Sequence, residues 1–318
     1  MLLGIDFGTS WARLVKKNQV VHEEPALVAL DRNSQRIVGV GSQAQQVFGK
    51  APGSIVAVSA FRGGVIADVR STYEVLRKLI RSATGRSPLK PILHLSVATS
   101  ATVVERRSLI EVALQAGAKE ARLVLSPLAG ARGGGLDTSR PRGRLVVNLG
   151  GGLTEVALLS MGSVIVSETE PSGGEAMDEL IQRHVRQAYG LLIGLGASEE
   201  VKRNQLHLWG GPAQSGRLEL SGLGVVDGLP RTVELDEREL PGAIEPQLKR
   251  LLALLRRVLE QAPPELAADV YQDGVVLAGG SAQLSGLPEV LGSALGLPVR
   301  VLGSPQHCVA LGLLQSVD

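Results

Sequence analysis

The sequence predicts an α/β protein whose sheets are at least partly parallel, built as two domain-sized units or as one large two-lobed fold. Short β-type runs alternate with amphipathic helical segments along the chain, which is typical of sheets covered by helices. A strand, a glycine turn and a second strand occur in that order at the start and again near the middle, which indicates an internal duplication. The 318 residues, 44% of them hydrophobic, suffice to bury two cores.

The first of these units opens the chain. Leu2–Phe7 is an apolar run with a single acid, and it leads into Gly8-Thr9-Ser10. Two further strands are predicted at Ala12–Lys16 and Gln19–His22, separated by Lys17-Asn18, which suits a hairpin turn. The sequence therefore predicts three consecutive strands, with the glycine turn between the first and the second.

The second unit repeats this order in the middle of the chain. The β-branched run Arg144–Leu149 leads into Gly150-Gly151-Gly152, and a third glycine turn, Gly279-Gly280-Ser281, follows a later run. The strands predicted in this half are Glu155–Ser160, Ser163–Glu168 and Gly274–Ala278.

Apolar residues at helical spacing predict the helices between these strands. The predicted helices are Ser71–Thr84, Glu105–Ala116, Met177–Ala188 and Pro246–Gln261. Their apolar faces indicate packing in the core. Breaks between folding units are expected near Pro141-Arg142-Gly143 and in the glycine- and proline-rich stretch from Gly210 to Pro241.

Composition excludes several classes of protein. Aromatic residues are 3% of the chain and the net charge is +2 with both signs interspersed, so neither a base-stacking platform nor a basic arm for nucleic acid is predicted. The single cysteine, Cys308, excludes an intramolecular disulfide framework and fits a reducing cytoplasm. No apolar run is long enough to span a bilayer, and the first strand leaves no room for a signal peptide. We therefore expect a cytoplasmic protein.

The three glycine turns predict a phosphate-binding site. Backbone N–H groups in such turns can approach phosphate oxygens without interference from side chains. Asp6, at the end of its strand, can meet a hydrated Mg²⁺ held between phosphates, and Thr9 and Thr154 supply hydroxyls at matching points of the two units. Any one glycine turn is more often just an ordinary tight turn, so the prediction depends on all three occurring in this order.

These segments resemble the motifs of the actin, sugar kinase and heat-shock ATPase superfamily. Gly4–Thr9 resembles its first phosphate loop, Val147–Glu155 its second and Gly274–Ser281 its adenosine motif. Within the superfamily, the bacterial rod shape-determining MreB proteins are the most similar, because short segments match in the same order along nearly the whole chain. These segments are Glu24–Ala29, Gly64–Asp68, Glu105–Arg107, Ala116–Ala118, Met177–Glu179, Gly228–Arg231 and Pro263–Leu266.

The resemblance implies an actin-like ATPase fold that closes on ATP or ADP with Mg²⁺. It implies an N-terminal lobe over residues 1–143, with a small subdomain at about 33–66, and a C-terminal lobe over 144–318, with a small subdomain at about 183–242. Each lobe would have a mixed five-stranded sheet flanked by helices. The implied nucleotide-binding residues are Asp6, Gly8, Thr9, Ser10, Gly150, Gly151, Gly152, Thr154, Glu199, Lys202, Gly279, Gly280 and Ser281, with Asp6 holding Mg²⁺ through water. Glu199 and Lys202 lie in what the sequence alone indicates is an exposed, charged helix start.

Two acids of the superfamily's hydrolytic machinery are replaced. Ser126, in Leu125-Ser126-Pro127, stands where the superfamily has a catalytic Glu, and a serine hydroxyl is not a usable base near neutral pH. Asn148 stands where the second phosphate loop has an Asp, and an amide brings no negative charge to Mg²⁺. Leu153 replaces a hydroxyl residue. Impaired hydrolysis is the resulting prediction, and restoring both acids is expected to raise the rate. Residual turnover through water and Asp6 is the alternative.

The resemblance also implies partners. MreB proteins form filaments, act with other cell-shape proteins and lie against the inner membrane through an amphipathic helix or a short hydrophobic loop. No such helix is predicted ahead of the first strand, and the loop position is 87–91, where Leu89 lies between Arg86 and Lys90. One leucine contributes about 2–3 kcal/mol, too little for a monomer, although a filament would repeat the contact. An ordinary polar loop is the alternative.

Two other functions are compatible with the superfamily. A small-molecule kinase needs a carboxylate base for its substrate hydroxyl, which neither Ser126 nor Asn148 supplies. A non-polymerising regulatory ATPase is the other alternative, and sedimentation with and without ATP would distinguish it from a filament subunit.

Overall fold

The computed structural model describes residues 1–47, 53–85, 87, 89–209 and 216–315. Residues 48–52 and 210–215, which fall in the two predicted small subdomains, lie outside this part of the chain, as do Arg86 and Pro88 of the predicted membrane loop.

Strands and helices alternate as predicted. The strands are β1 (Leu2–Phe7), β2 (Trp11–Lys16), β3 (Gln19–Pro25), β4 (Leu27–Asp31), β5 (Ile37–Val40), β6 (Ile55–Ser59), β7 (Phe61–Arg62), β8 (Val65–Ile66), β9 (Ile92–Val97), β10 (Glu120–Leu125), β11 (Arg144–Leu149), β12 (Thr154–Ser160), β13 (Ser163–Glu170), β14 (Leu191–Leu192), β15 (Arg217–Gly224), β16 (Pro230–Asp236), β17 (Val275–Ala278) and β18 (Val299–Val301). The α-helices are α1 (Ser42–Val47), α2 (Val69–Thr84), α3 (Val103–Gln115), α4 (Ser126–Gly133), α5 (Gly174–Tyr189), α6 (Leu195–Asn204), α7 (Leu240–Glu260), α8 (Pro264–Asp273), α9 (Leu287–Leu295) and α10 (Cys308–Gly312).

Two five-stranded sheets share one topology. The first has the order β10-β9-β1-β2-β3 and the second β18-β17-β11-β12-β13. In each sheet the first three strands of the unit are antiparallel neighbours, and the two later strands join in parallel. The predicted duplication and the mixed α/β architecture are therefore confirmed.

The predicted hairpin turn lies between β2 and β3. Lys17 and Asn18 both have positive φ, 52° and 58°, as a two-residue turn of type I′ requires. Asn tolerates this conformation well, and the turn brings the third strand back along the second.

Each large sheet has its own hydrophobic core. The first is built from β1, β2 and β9 with α2 and α3, and the second from β11, β12 and β17 with α5 and α7. Two smaller three-stranded sheets, β5-β4-β6 and β14-β15-β16, accompany the large ones. The lobe and subdomain boundaries given above stay predictions.

Helices α4 and α10 form the layer between the two large sheets. Leu128 and Ala131 of α4 pack against β11 and β12, and Leu313, just after α10, packs with Val124 of the first sheet. The helices cross at backbone contact, because a Cβ at Gly312 would lie 1.9 Å from the carbonyl oxygen of Ala129.

Two predicted helix positions are wrong. Helix α7 begins at Leu240, so Pro246 lies inside it. Proline lacks the N–H that would bond to Gly242, but its fixed φ is helical, and the long buried face of α7 stabilises the turn before it. Segment 198–202 is the middle of α6 rather than a helix start. No helix within the described residues is long and apolar enough to cross a membrane.

Candidate functional site

The first and second phosphate loops have the same turn and face each other. Gly8 N–H donates to the carbonyl of Trp11 at 3.0 Å, and Gly150 N–H donates to that of Leu153 at 2.9 Å. A Cβ at Gly151 would lie 2.2 Å from Ser10 Oγ, and one at Gly152 would lie 2.7 Å from Thr9 Cγ2. The two loops are therefore in direct contact, and a side chain at either glycine would require Ser10 or Thr9 to move.

The loops offer hydrogen-bond donors. Within the described part of the chain, the N–H groups of Thr9, Ser10, Gly151 and Gly152 donate to no other backbone group. Four such N–H groups, beside the hydroxyls of Thr9 and Ser10, can donate hydrogen bonds to phosphate oxygens. The Ser10 hydroxyl donates to Glu175 Oε1 at 2.7 Å, and this bond links the first loop to α5 beside the second sheet.

Asp6, the residue expected to hold Mg²⁺ through water, is buried at the end of β1. Its Oδ1 accepts a hydrogen bond from Ser96 Oγ at 2.8 Å, and Arg13 Nη1 lies 3.8 Å from its Oδ2. Burial raises the pKa of Asp6, and the Arg13 charge opposes that rise. Across the described ranges, no three His, Cys, Asp or Glu side chains converge to hold a metal. A single carboxylate fits Mg²⁺ only if phosphate oxygens and water supply the other ligands.

The adenosine motif lies beside the second phosphate loop. Ser281 Oγ donates to the carbonyl of Gly150 at 3.0 Å. Gly279 has φ 89°, and a Cβ there would lie 2.2 Å from the carbonyl oxygen of Leu149, so glycine is required at the end of β17. Gly280 follows it and opens a short 3₁₀ turn, Gly280–Gln283.

Lys202 lies beside this region, and Glu199 lies near it on the same helix, α6. Lys202 Nζ donates to the carbonyl of Gly174 at 2.9 Å and to Asp178 Oδ2 at 2.7 Å. Burial raises the pKa of Asp178 to about 6 although the Lys202 charge lowers it. Glu199 pairs with Arg203 at 2.8 Å, and its charge adds to the raised pKa of Asp178.

Ser126 and Asn148, at the positions where the resemblance places acids, have different surroundings. Ser126 is buried at the start of α4, and its hydroxyl donates to the carbonyl of Val97 at 3.0 Å. Asn148 Nδ2 donates to Glu155 Oε2 at 3.2 Å. Thr154 does not present its hydroxyl to the other loop, because it donates to the carbonyl of Ser172 at 2.7 Å.

Glu155 is a buried acid of this region that sequence reasoning did not single out as a site residue. Its side chain is 1% exposed, and its Oε1 accepts the N–H of Thr99 at 2.9 Å from the opposite sheet. Burial raises the pKa of Glu155 to about 7, and the nearby Asp6 charge adds to the rise. The signal in the sequence is an acid at the second position of the otherwise apolar run Thr154–Ser160, every residue of which is buried.

Comparison with known proteins gives one consistent family. The family model described as MreB/Mbl protein matches residues 1–318. The cell shape-determining protein Mbl of Bacillus cereus is 36% identical over 321 residues, covering 99% of this chain and 96% of that protein.

Solved structures show the same fold. The crystal structure of MreB5 of Spiroplasma citri bound to ADP has a TM-score of 0.93 at 27% identity, covering 98% of this chain and 94% of that one. A MamK double helical filament has a TM-score of 0.83 at 18% identity over 99% of this chain and 97% of that one, which shows the fold alone. From the paired sheets, the facing glycine loops and these matches together, we conclude that the chain belongs to the MreB/Mbl family and has the actin-like fold.

Proposed function

We propose that this protein binds ATP or ADP with Mg²⁺ between its two large sheets and assembles as a cytoskeletal filament linked to cell shape. The observation that carries the nucleotide part is the contact of the two phosphate loops, Thr9 and Ser10 against Gly151 and Gly152, with their N–H groups directed to no backbone partner. MreB5, which is 27% identical, is bound to ADP in its crystal structure.

In this proposal each sheet supplies part of the pocket. The two loops would donate N–H groups to the phosphates, Asp6 would hold a Mg²⁺-bound water, and Lys202 and Ser281 would border the nucleoside. Mg²⁺ would neutralise phosphate charge.

Nucleotide binding is tested by thermal unfolding with and without millimolar Mg²⁺ and ATP or ADP. We expect the wild type to gain several degrees, because a ligand that binds only the folded state stabilises it. Gly152→Ala should lose most of this gain, since its Cβ would lie 2.7 Å from Thr9 Cγ2, whereas Gly194→Ala, with nothing within 4 Å, should keep it. If the melting temperature of the wild type is the same with and without nucleotide, the proposal is contradicted.

We further propose that hydrolysis is slow. Ser126 has no carboxylate, and its hydroxyl already donates to Val97, so it is poorly placed to activate water. The neighbourhood of Asn148 changes the expectation for restoring both acids. An Asp at 148 would face the Glu155 carboxylate, with no amide donor between them. Ser126→Glu alone is therefore the better restoring substitution.

Filament formation is supported by family membership, since the Mbl relative is a cell shape-determining protein. The contacts between subunits are open to experiment, and a head-to-tail contact that does not close on itself gives a filament.

A weak membrane contact is also proposed, at the edge of the first sheet where β1 and β9 begin. Leu89 is 72% exposed, and the exposed Met1 and Leu2 lie at the same edge, because the N–H of Ile92, three residues after Leu89, donates to the carbonyl of Met1 at 2.9 Å. The exposed cations nearby are Lys17, Lys90 and Lys119. Apolar side chains ringed by lysines suit an anionic bilayer surface. Co-sedimentation of filaments with anionic vesicles should fall for Leu89→Asp, and equal sedimentation of both proteins would rule the contact out.

A further inference from the structure

Leu153 and Glu155, at the start of β12, reach across the cleft to the first sheet. Leu153 packs over the β7–β8 turn, because a Cβ at Gly64 would lie 2.6 Å from Leu153 Cδ2 and 2.8 Å from Ala98 Cβ. Gly64 has φ 83°, so this close packing requires a glycine there.

Glu155 makes the polar half of the same contact. Its Oε1 accepts the N–H of Thr99, which follows β9 of the first sheet, at 2.9 Å, and its Oε2 accepts from Asn148 of its own sheet at 3.2 Å. One oxygen of the carboxylate thus accepts from the first sheet and the other from the second, and Glu155 is 1% exposed. A charge-assisted bond in such a setting is stronger than the same bond at the surface.

We propose that Leu153 and Glu155 form a latch that holds the two lobes closed over the phosphate loops, so that nucleotide is released only when the latch opens. The statement about release rests on the proposed nucleotide binding, whereas the latch itself does not. Other links between the sheets, Ser10–Glu175 and Glu23–His307, are partly exposed, and exposed pairs contribute less.

The two residues of the latch have opposite effects on the equilibrium between the open and the closed state. Opening would hydrate the Glu155 carboxylate, which favours the open state, and would also expose Leu153, which opposes it. Leu153 stands where the resemblance places a hydroxyl residue, and a hydroxyl would supply less apolar contact with Gly64 and Ala98. The leucine therefore biases this protein towards the closed state.

Amide hydrogen exchange at Thr99 tests the latch without any nucleotide. Removing a hydrogen bond to a charged acceptor should speed exchange by roughly tenfold to a hundredfold, so Glu155→Ala should expose the Thr99 amide. Leu153→Thr should also speed it, because the lobes part more often. Glu155→Gln should stay near the wild type, since its carbonyl still accepts from Thr99 and Asn148 can turn its amide. Leu192→Thr, a matched change at an exposed position of the second half, should leave Thr99 unaffected.

The results separate the latch from a general loss of stability. Faster exchange confined to Thr99 and the Gly64 turn supports the latch. Unchanged exchange in both Glu155→Ala and Leu153→Thr overturns it, as does an acceleration spread evenly over both sheets.

Release of a fluorescent ADP analogue, measured by chase with unlabelled ADP, tests the consequence. Leu153→Thr should release it several-fold faster than the wild type and Leu192→Thr at the wild-type rate. If Thr99 responds as predicted but no analogue binds, the proposed nucleotide binding fails and the latch stands. If the analogue binds but leaves Leu153→Thr at the wild-type rate, the coupling of the latch to release is wrong.

Discussion

At the scale of single residues, the buried carboxylate of Glu155 has a cost that depends on pH. An isolated glutamate titrates near pH 4.5, and burial raises the pKa of Glu155 to about 7. Between these two pH values the folded protein binds more protons than the unfolded chain, so this residue lowers stability as pH rises, and its full cost is present above pH 7.

Glu155→Gln removes this titration while keeping an acceptor for Thr99. We expect the stability of the variant relative to the wild type to rise from pH 4.5 to above pH 7, by about 3 kcal/mol at most. Urea unfolding of both proteins across this range measures it, and Asp178, whose pKa is also raised, affects both proteins alike. A stability difference that does not vary with pH would show that Glu155 titrates normally.

The residues that make the loops could be predicted from sequence, but the partners of their side chains could not. Glycine spacing after a strand marks Gly8 and Gly150 to Gly152 directly, because it is local. The hydrogen bonds from the Ser126 hydroxyl to Val97 and from the Thr99 N–H to Glu155 depend on which strand ends lie next to each other. These hydrogen bonds join residues that are 29 and 56 positions apart in the sequence, so a local sequence pattern does not predict them.

At the scale of elements, the crossing of α4 and α10 joins the two large sheets. Small residues allow the backbones to touch, since a Cβ at Gly133 would lie 1.8 Å from the carbonyl oxygen of Cys308 and one at Gly312 would lie 1.9 Å from that of Ala129. Helix α4 starts at Ser126, so a shift at this crossing would be transmitted to the site.

Gly312→Ala should destabilise the protein although alanine favours helices. The added methyl group would strike a backbone oxygen that cannot move alone, and overpacking of this kind costs about 1–3 kcal/mol or more. Gly303→Ala, just before α10 and with nothing within 4 Å, is the matched control and should be nearly neutral. Chemical denaturation compares the two, and a Gly312→Ala protein as stable as the control would mean that the helices are not in backbone contact.

The strands of the two repeated units, the helices α2, α3 and α5 and the C-terminal part of α7 were predicted from the sequence, whereas β4 to β6, β15, β16 and β18 were not. Apolar and β-branched runs followed by glycine predicted β1 and β11, and period-3.6 patterns predicted α2 and α5, all within a few residues. The start of α7 was predicted too late, at Pro246, because a proline is typical of the first turn of a helix. In the structure the helix begins earlier, and the buried Leu240 and Ile244 lie in the turns before Pro246. The short strands β7, β8 and β14 are too brief to have a pattern of their own.

At the scale of the whole molecule, two copies of one sheet topology face each other across a cleft lined by glycine loops. The chain belongs to the MreB/Mbl family, and we propose that Ser126 and Asn148, where the superfamily resemblance places acids, slow its hydrolysis. We therefore expect assembly that depends on nucleotide, together with slow loss of the γ-phosphate.

The nucleotide content of sedimented filaments tests this claim most directly. The protein is incubated with Mg²⁺ and ATP and then pelleted, and the bound nucleotide is separated by chromatography, with Ser126→Glu treated in parallel. We predict that the wild-type pellet holds mainly ATP, and that Ser126→Glu, with its restored carboxylate, shifts the content towards ADP. A wild-type pellet that holds only ADP, or a protein that never pellets in any nucleotide, would contradict the account.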